Sequence, residues 1–395
     1  MFSTLSKEIT KKLSTSDKKE NGIYFTPPTS IDKMIMDIDF TNVKTVLEPS
    51  CGSCEIVNKI DNIGDYSIDC IEYNKTIYDS IKDLQFKNKV SIINDDFIKH
   101  KFNKKYDLII GNPPYFVMKK GNVDKKYYKY FDGRPNIFIL FIIKSLELLN
   151  DNGQLSFVLP ASFLNCLYYD KTRQFINDNF KIINIIHCSD DSYLETQQET
   201  IIITLIKLKP KNKKFTHKIN NYIVFNDKTN IKKLIKLYEN STTLNELKLS
   251  VNIGTVVWNQ VKDILTNDNS KTILVYSGDI KKNVFKMVKY NNEQKKNYIN
   301  KEGIKSPRMV INRGYGVGQY VFNYAILQLD KEYLIENHLL VLNPVNDIND
   351  KDLLKLYEKI SNSFNNEKTK EFISMYFKNN AINAVEMNNI LPIYL

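Results

Sequence analysis

Nowhere in the 395 residues is there a run of about 18 apolar residues, so no membrane-spanning helix is expected. The first 21 residues are polar and lysine-rich, without the apolar stretch of a secretory leader. Cysteine is scarce. Cys51, Cys54, Cys70, Cys166 and Cys188 are too few, and odd in number, for a disulfide-stapled secreted scaffold. A reducing, cytoplasmic setting is therefore expected. Cys51 and Cys54 form a C-x-x-C, but no second pair at zinc-like spacing follows, and no metal site is expected. Internal repeats are absent. Only one glycine, Gly52, stands in the first strand-to-helix loop, so the G-x-G-x-x-G fingerprint of dinucleotide binding is missing there.

The chain is too long for one ordinary core, and two domains are expected. The net charge of +11 is unevenly spread. Residues 211–395 hold 28 basic and 18 acidic residues, and the first 210 hold 28 and 27. A basic half beside a neutral half suggests that the second half binds a polyanion, or else presents a lysine-rich solvated surface.

Residues 29–39 place Ile31, Met34, Ile35 and Ile38 at helical spacing. Short apolar strands follow at 45–47, 67–71, 90–93, 106–110, 154–159, 181–187 and 200–208, separated by polar, helix-compatible stretches. Residues 137–149 read as an apolar helix stopped by Asn150-Asp151-Asn152-Gly153. Alternation of this kind predicts a doubly wound, Rossmann-like α/β domain over 1–210. Residues 211–395 read as mixed α+β, with a helix over 353–364. Trp258, the only tryptophan, reads as a core residue.

Four segments carry chemistry. Glu48-Pro49-Ser50-Cys51-Gly52 follows the first strand, where small residues let a ligand approach the backbone and an acid suits a cationic or amine-bearing ligand. Glu72 ends the second strand about 20 residues past that loop, the spacing of a ribose-binding acid. Asp96-Phe97 follows the third strand; the pair can bind an adenine amine and cover its face, or serve as a cap and a core residue. After the fourth strand comes Asn112-Pro113-Pro114-Tyr115. Two prolines stiffen the loop and remove N–H donors, so an amide oxygen and a proline carbonyl can both accept hydrogens from an exocyclic NH₂. Drawing off both hydrogens pulls nitrogen toward tetrahedral geometry and frees its lone pair for in-line attack, while Tyr115 can stack on the ring.

Asn112-Pro113-Pro114-Tyr115 resembles the catalytic motif of amino-group methyltransferases. Tyr24-Phe25-Thr26-Pro27-Pro28, placed before Glu48-Pro49-Ser50-Cys51-Gly52, resembles the gamma class of DNA adenine-N6 methyltransferases, the TaqI-like type II group, over residues 20–210. Gly254-Thr255-Val256-Val257-Trp258, Glu336-Asn337-His338-Leu339 and the C-terminal stretch resemble that group's target recognition domain more loosely. The resemblance implies S-adenosylmethionine as cofactor, held by Tyr24, Thr26, Glu48, Pro49, Ser50, Cys51, Gly52, Glu72, Asp96, Phe97 and Asn112. It implies Asn112, Pro113, Pro114 and Tyr115 at a flipped adenine, with Tyr193 as a second base-stacking aromatic. Double-stranded DNA would be the partner, a restriction endonuclease could act separately, and the enzyme would work as a monomer. Cys54 stands where many members carry a second glycine. Other acceptors of the same chemistry are a protein glutamine amide, cytosine N4 and RNA adenine; a non-enzymatic DNA-binding relic is a further alternative.

Overall fold

The computed structural model describes residues 2–188, 199–290, 292–313, 322–377 and 382–395. Their contacts divide the chain into two units, Met1–Lys232 and Lys233–Leu395.

Two capped helices open the first unit. In α1 (Thr4–Lys12) the Ser6 amide donates to the Ser3 hydroxyl, and in α2 (Thr15–Asn21) the Asp17 amide donates to Ser14. Gly22, at φ +61, closes α2 in the left-handed conformation. After α3 (Pro28–Met36), strands and helices alternate as the sequence predicts: β1 (Thr45–Glu48), α4 (Glu55–Ile60), β2 (Ser67–Glu72), α5 (Lys75–Ile81), β3 (Lys89–Asn94), β4 (Tyr106–Gly111), α6 (Ile137–Glu147), β5 (Leu149–Pro160), α7 (Asp170–Asn179), β6 (Lys181–His187) and β7 (Thr200–Ile206).

These strands form one seven-stranded sheet in the order β3-β2-β1-β4-β5-β7-β6, in which only β7 runs antiparallel to its neighbours. Alternate strand residues enter opposite cores. Val46, Leu108 and Ile110 pack with α1, α3, α4 and α5, while Leu47 and Ile109 pack with α6 and α7. The strand order reverses at β1 and β4, so the crevice for a ligand lies beyond their carboxyl ends.

Two details depart from the sequence reading. α6 stops at Glu147, but the tetrapeptide 150–153 is no free turn: it lies within β5, where the register against β4 shifts and Asn152 takes φ +64. The first unit also runs beyond residue 210. The hairpin β8 (Thr216–Ile219) and β9 (Tyr222–Phe225) puts Phe225 in its core beside Phe215, and the buried Arg173 of α7 donates to the Ile223 carbonyl.

Helix α8 (Lys228–Tyr238) spans the division. The second unit contains a four-stranded antiparallel sheet, residues 249–253, 339–344, 308–312 and 324–327 in spatial order, and a smaller mixed sheet. The helix predicted over 353–364 forms as part of α9 (Asp350–Phe364). Trp258 is only partly buried, at the margin of a cluster that includes Tyr276. Glu336 is buried, accepts from the Ser277 amide and pairs with His338 Nδ1 at 2.8 Å. Among the described residues no helix is long and apolar enough to cross a membrane, and no group of His, Cys, Asp and Glu could hold a metal ion.

Candidate active site

At the carboxyl end of β1 the chain turns through residues 49–54. Gly52 takes φ +50, and a Cβ there would lie 3.4 Å from the Phe25 ring, so glycine lets the ring cover the turn. The Gly52 amide donates to Glu72 Oε2 at 2.9 Å, and the Asn74 amide donates to Oε1 at 2.7 Å. Two strand ends are thereby tied through one carboxylate. Cys54 adopts φ +60 ahead of α4, the conformation that explains why glycine suits this position in the resembling group. Hydrogen bonding to Cys51 and burial push the Cys54 thiol well up, so the C-x-x-C is an inert packed pair.

Glu48 is the anomaly. Only 2% exposed, it has no hydrogen-bond partner on either carboxylate oxygen among the described residues. Gly111 leaves room for it, since a Cβ there would lie 2.6 Å from Glu48 Oε1. Burial, then the charge of Glu72, pushes its pKa well up. Burial likewise raises Glu72, to about 7.

The loop after β4 brings the third group. Asn112 Nδ2 donates to the Tyr24 carbonyl at 3.1 Å, which fixes the amide's orientation. Its Oδ1 accepts from the Tyr115 hydroxyl at 2.7 Å, and the Ser50 hydroxyl donates to the Asn112 carbonyl at 3.2 Å. The Tyr115 ring stands edge-on to Phe138, and its hydroxyl lies 2.8 Å from the Val158 carbonyl. Gly22 presses against this loop from the N-terminal side: a Cβ there would lie 2.5 Å from the Tyr115 nitrogen.

Together these segments enclose a cavity of about 260 Å³. Tyr24, Pro49, Ser50, Gly52, Glu72, Asp96, Phe97 and Asn112, singled out in the sequence for a cofactor, line it together with Pro114, singled out for the target base. Thr26, Glu48 and Cys51 line a smaller adjoining hollow of about 30 Å³. Pro113 is buried and Tyr115 half-buried, and neither is a wall of the cavity. Tyr193 lies outside the described residues. No helix follows β3, so Asp96 caps a turn instead: the Ile98 amide donates to Asp96 Oδ1, Phe97 packs tilted against Phe141 in the core, and both residues face the cavity. Sequence reasoning passed over Asn21, Gly22, Ile23, Tyr73, Asn74, Phe116 and Met118. Of these, only Gly22 carried a usable signal, as a glycine just past a polar helix.

S-adenosylmethionine fits these residues. Its sulfonium and ammonium charges suit a cavity lined by the buried acid Glu72 and adjoined by Glu48, whose carboxylate oxygens have no hydrogen-bond partner among the described residues. Glu72 would hold the ribose hydroxyls, and Asp96 and Phe97 the adenine. The raised pKa gives a test. Glu72 is protonated below about pH 7 and a full acceptor above it. Cofactor affinity should therefore rise about tenfold per pH unit on the acid side of pH 7 and level off above it. Calorimetric titration from pH 6 to 8 measures this. A flat wild-type profile, or one that Glu72→Gln leaves unchanged, would show that Glu72 is not the titrating ligand.

Comparison with known proteins decides the family. Residues 6–194 match the Eco57I restriction-modification methylase family. Those residues, just under half of the chain, form that family's methylase region. The methylase is thus a DNA methyltransferase of a type II restriction-modification system, and S-adenosylmethionine is its cofactor. It is similar to the type II methyltransferase M.CvrRI of Paramecium bursaria Chlorella virus XZ-6E, 27% identical over 384 residues and 94% of each chain. It is also similar to the modification methylase CviBIII of virus NC1A, 27% identical with 86% of this chain and 87% of that one covered. Among solved structures, a DrdV–DNA complex shares the fold with a TM-score of 0.51, at 11% identity, over 95% of this chain and 57% of that one.

Proposed function

We propose that the methylase transfers a methyl group to the N6 amine of an adenine flipped out of duplex DNA. The fixed orientation of the Asn112 amide carries this reading. With Nδ2 spent on the Tyr24 carbonyl, Oδ1 is the side-chain atom left to accept a hydrogen from an incoming amine. An amide oxygen has two lone pairs, so Tyr115 does not exhaust it. Pro113 supplies a second carbonyl on a loop that the following proline deprives of an N–H.

Bound S-adenosylmethionine supplies an electrophilic methyl group. The protein's part is to draw both hydrogens of the amine toward the Asn112 oxygen and the Pro113 carbonyl, and so to localise the nitrogen lone pair. The ring of Tyr115 holds the base while this happens. No strong base is required before attack, because the amine becomes acidic once methylated and its proton can then pass to solvent water. Reaching a buried loop requires the base to leave the helix stack. We assign target recognition to the C-terminal half, from residue 211 on, on the strength of its net charge of +10. Phosphate contacts by its lysines would position the duplex, and base-edge contacts would choose the site.

Labelled S-adenosylmethionine, unmethylated genomic DNA and nucleoside mass spectrometry test the proposal. N6-methyladenine is the expected product. Label in N4-methylcytosine would move the target base, and label in RNA or in protein glutamine alone would overturn the reading.

A further inference from the structure

α6 is apolar from Ile137 to Ile143 and then turns a lysine inward. Lys144 is 9% exposed, and among the described residues its ammonium makes no ion pair, although Asp96, Glu147 and Asp95 lie near enough to favour its charge. It donates instead to three backbone carbonyls, those of Phe97 at 2.6 Å, Ile98 at 3.0 Å and His100 at 2.6 Å. Its Nζ also lies 5.1 Å from the centre of the Phe97 ring and 5.2 Å from that of Phe102. The three carbonyls and the Phe97 ring belong to the tight turn that follows β3, and Phe102 to the stretch just after it.

That turn has a reason to need a cation. The Lys99 and His100 amides both double back to the Asp96 carbonyl. The carbonyls that follow converge on one side, as at the end of a helix, with no amide there to meet them. Buried carbonyls without donors are costly, and a lysine with three N–H bonds can satisfy three of them from one atom. Burial lowers the Lys144 pKa to about 8, so the ammonium form prevails at neutral pH. On its outer side the same turn presents Asp95, Asp96 and Phe97 to the cavity.

We infer that Lys144 is a positioning residue for the cofactor: by gathering the carbonyls of Phe97, Ile98 and His100 it sets the Asp96-Phe97 turn in the shape that receives the adenine of S-adenosylmethionine. A lysine needed only for core stability would make the same bonds, so the distinction must come from function. The inference rests on the assignment of Asp96 and Phe97 to the cofactor site.

Full-length Lys144→Met, Lys144→Arg and Asp96→Ala proteins test it, with the Kd for S-adenosylmethionine measured by calorimetry without DNA. Methionine fills the space but donates nothing, and should raise that Kd at least tenfold. The KM for cofactor should rise with it, while kcat at saturating cofactor and the Kd for DNA stay within twofold of wild type. Arginine, which still donates to carbonyls, should recover most of the affinity. Hydrogen exchange should speed up at the amides of residues 96–100 in Lys144→Met and not elsewhere. A cofactor Kd within twofold of wild type, with only the melting temperature lowered, would reduce Lys144 to a core residue. Equal loss of DNA and cofactor affinity in Lys144→Met, unrelieved in Lys144→Arg, would mean general misfolding and also overturn the inference. If Asp96→Ala binds cofactor normally, the site assignment itself fails, whichever way Lys144 behaves.

Discussion

Asn112→Ala should lower kcat by roughly 100- to 1000-fold, the usual consequence of removing one preorganised polar group from the atoms where charge changes. Cofactor affinity should fall much less. Asn112 is one wall among many of the cavity, and its carbonyl, which receives the Ser50 hydroxyl, belongs to the backbone and survives the substitution. Asn112→Asp is the sharper variant. It keeps the shape and both acceptor positions but loses the donor to the Tyr24 carbonyl, and it sets a carboxylate oxygen against that carbonyl instead. A loss close to that of alanine is expected, because the amide's orientation is as necessary as its oxygen. Single-turnover methylation of a DNA carrying the recognised site, with cofactor saturating, measures the chemical step alone. A variant keeping more than a tenth of wild-type kcat would remove Asn112 from the chemistry and leave it as a cavity wall.

Gly22→Ala should be nearly as damaging, although Gly22 presents no reactive atom. Two costs coincide there. An L-residue at φ +61 is strained by about 1–2 kcal/mol. In addition, a Cβ would stand 2.5 Å from the Tyr115 nitrogen and 3.0 Å from its oxygen, and both are backbone atoms of a loop stiffened by two prolines. Displacing that loop by something near an ångström should lower kcat/KM about 100-fold. Gly22→Asn separates the two costs, since asparagine tolerates the left-handed region but still carries a Cβ. If Asn is as poor as Ala, the steric contact is responsible. If Asn restores activity, backbone strain alone was at issue and the close approach to Tyr115 carries no functional weight.

Much of this was legible in the sequence, for physical reasons that can be stated. Strands buried on both faces read as apolar runs, so the sheet strands of the first unit could be placed to within a few residues, apart from the start of β5. Residues 112–115 were legible because proline constrains the backbone locally and asparagine brings an acceptor to a known place. The features missed are those made by distant segments meeting. Asn21, Ile23, Tyr73 and Asn74 adjoin Tyr24 and Glu72 in the chain, but their own residue types carry no signal for a cavity, and their neighbours there arrive from other strand ends. The solitary state of Glu48 is likewise a tertiary fact, set by Gly111 and Glu72. The end of the first unit was placed early because Pro210 and the surrounding lysines look like a linker, whereas the hairpin beyond them returns Phe215, Ile223 and Phe225 to the same core. Lys144 was absorbed into an apolar helix, and only the carbonyls it meets reveal why a charge is there.

Among the described residues, every wall of the cavity comes from between Asn21 and Phe141. Among the described residues, the cavity assigned to the cofactor thus takes nothing from the stretch after Lys233, and substitutions there should leave cofactor affinity unchanged. If the later residues choose the target, as proposed, a lineage can recombine, duplicate or rapidly diverge them and acquire a new target without re-evolving a catalyst. It cannot do the same in the opening 141 residues, where the N-terminal segment, three strand ends and one proline loop share the same walls and must change together.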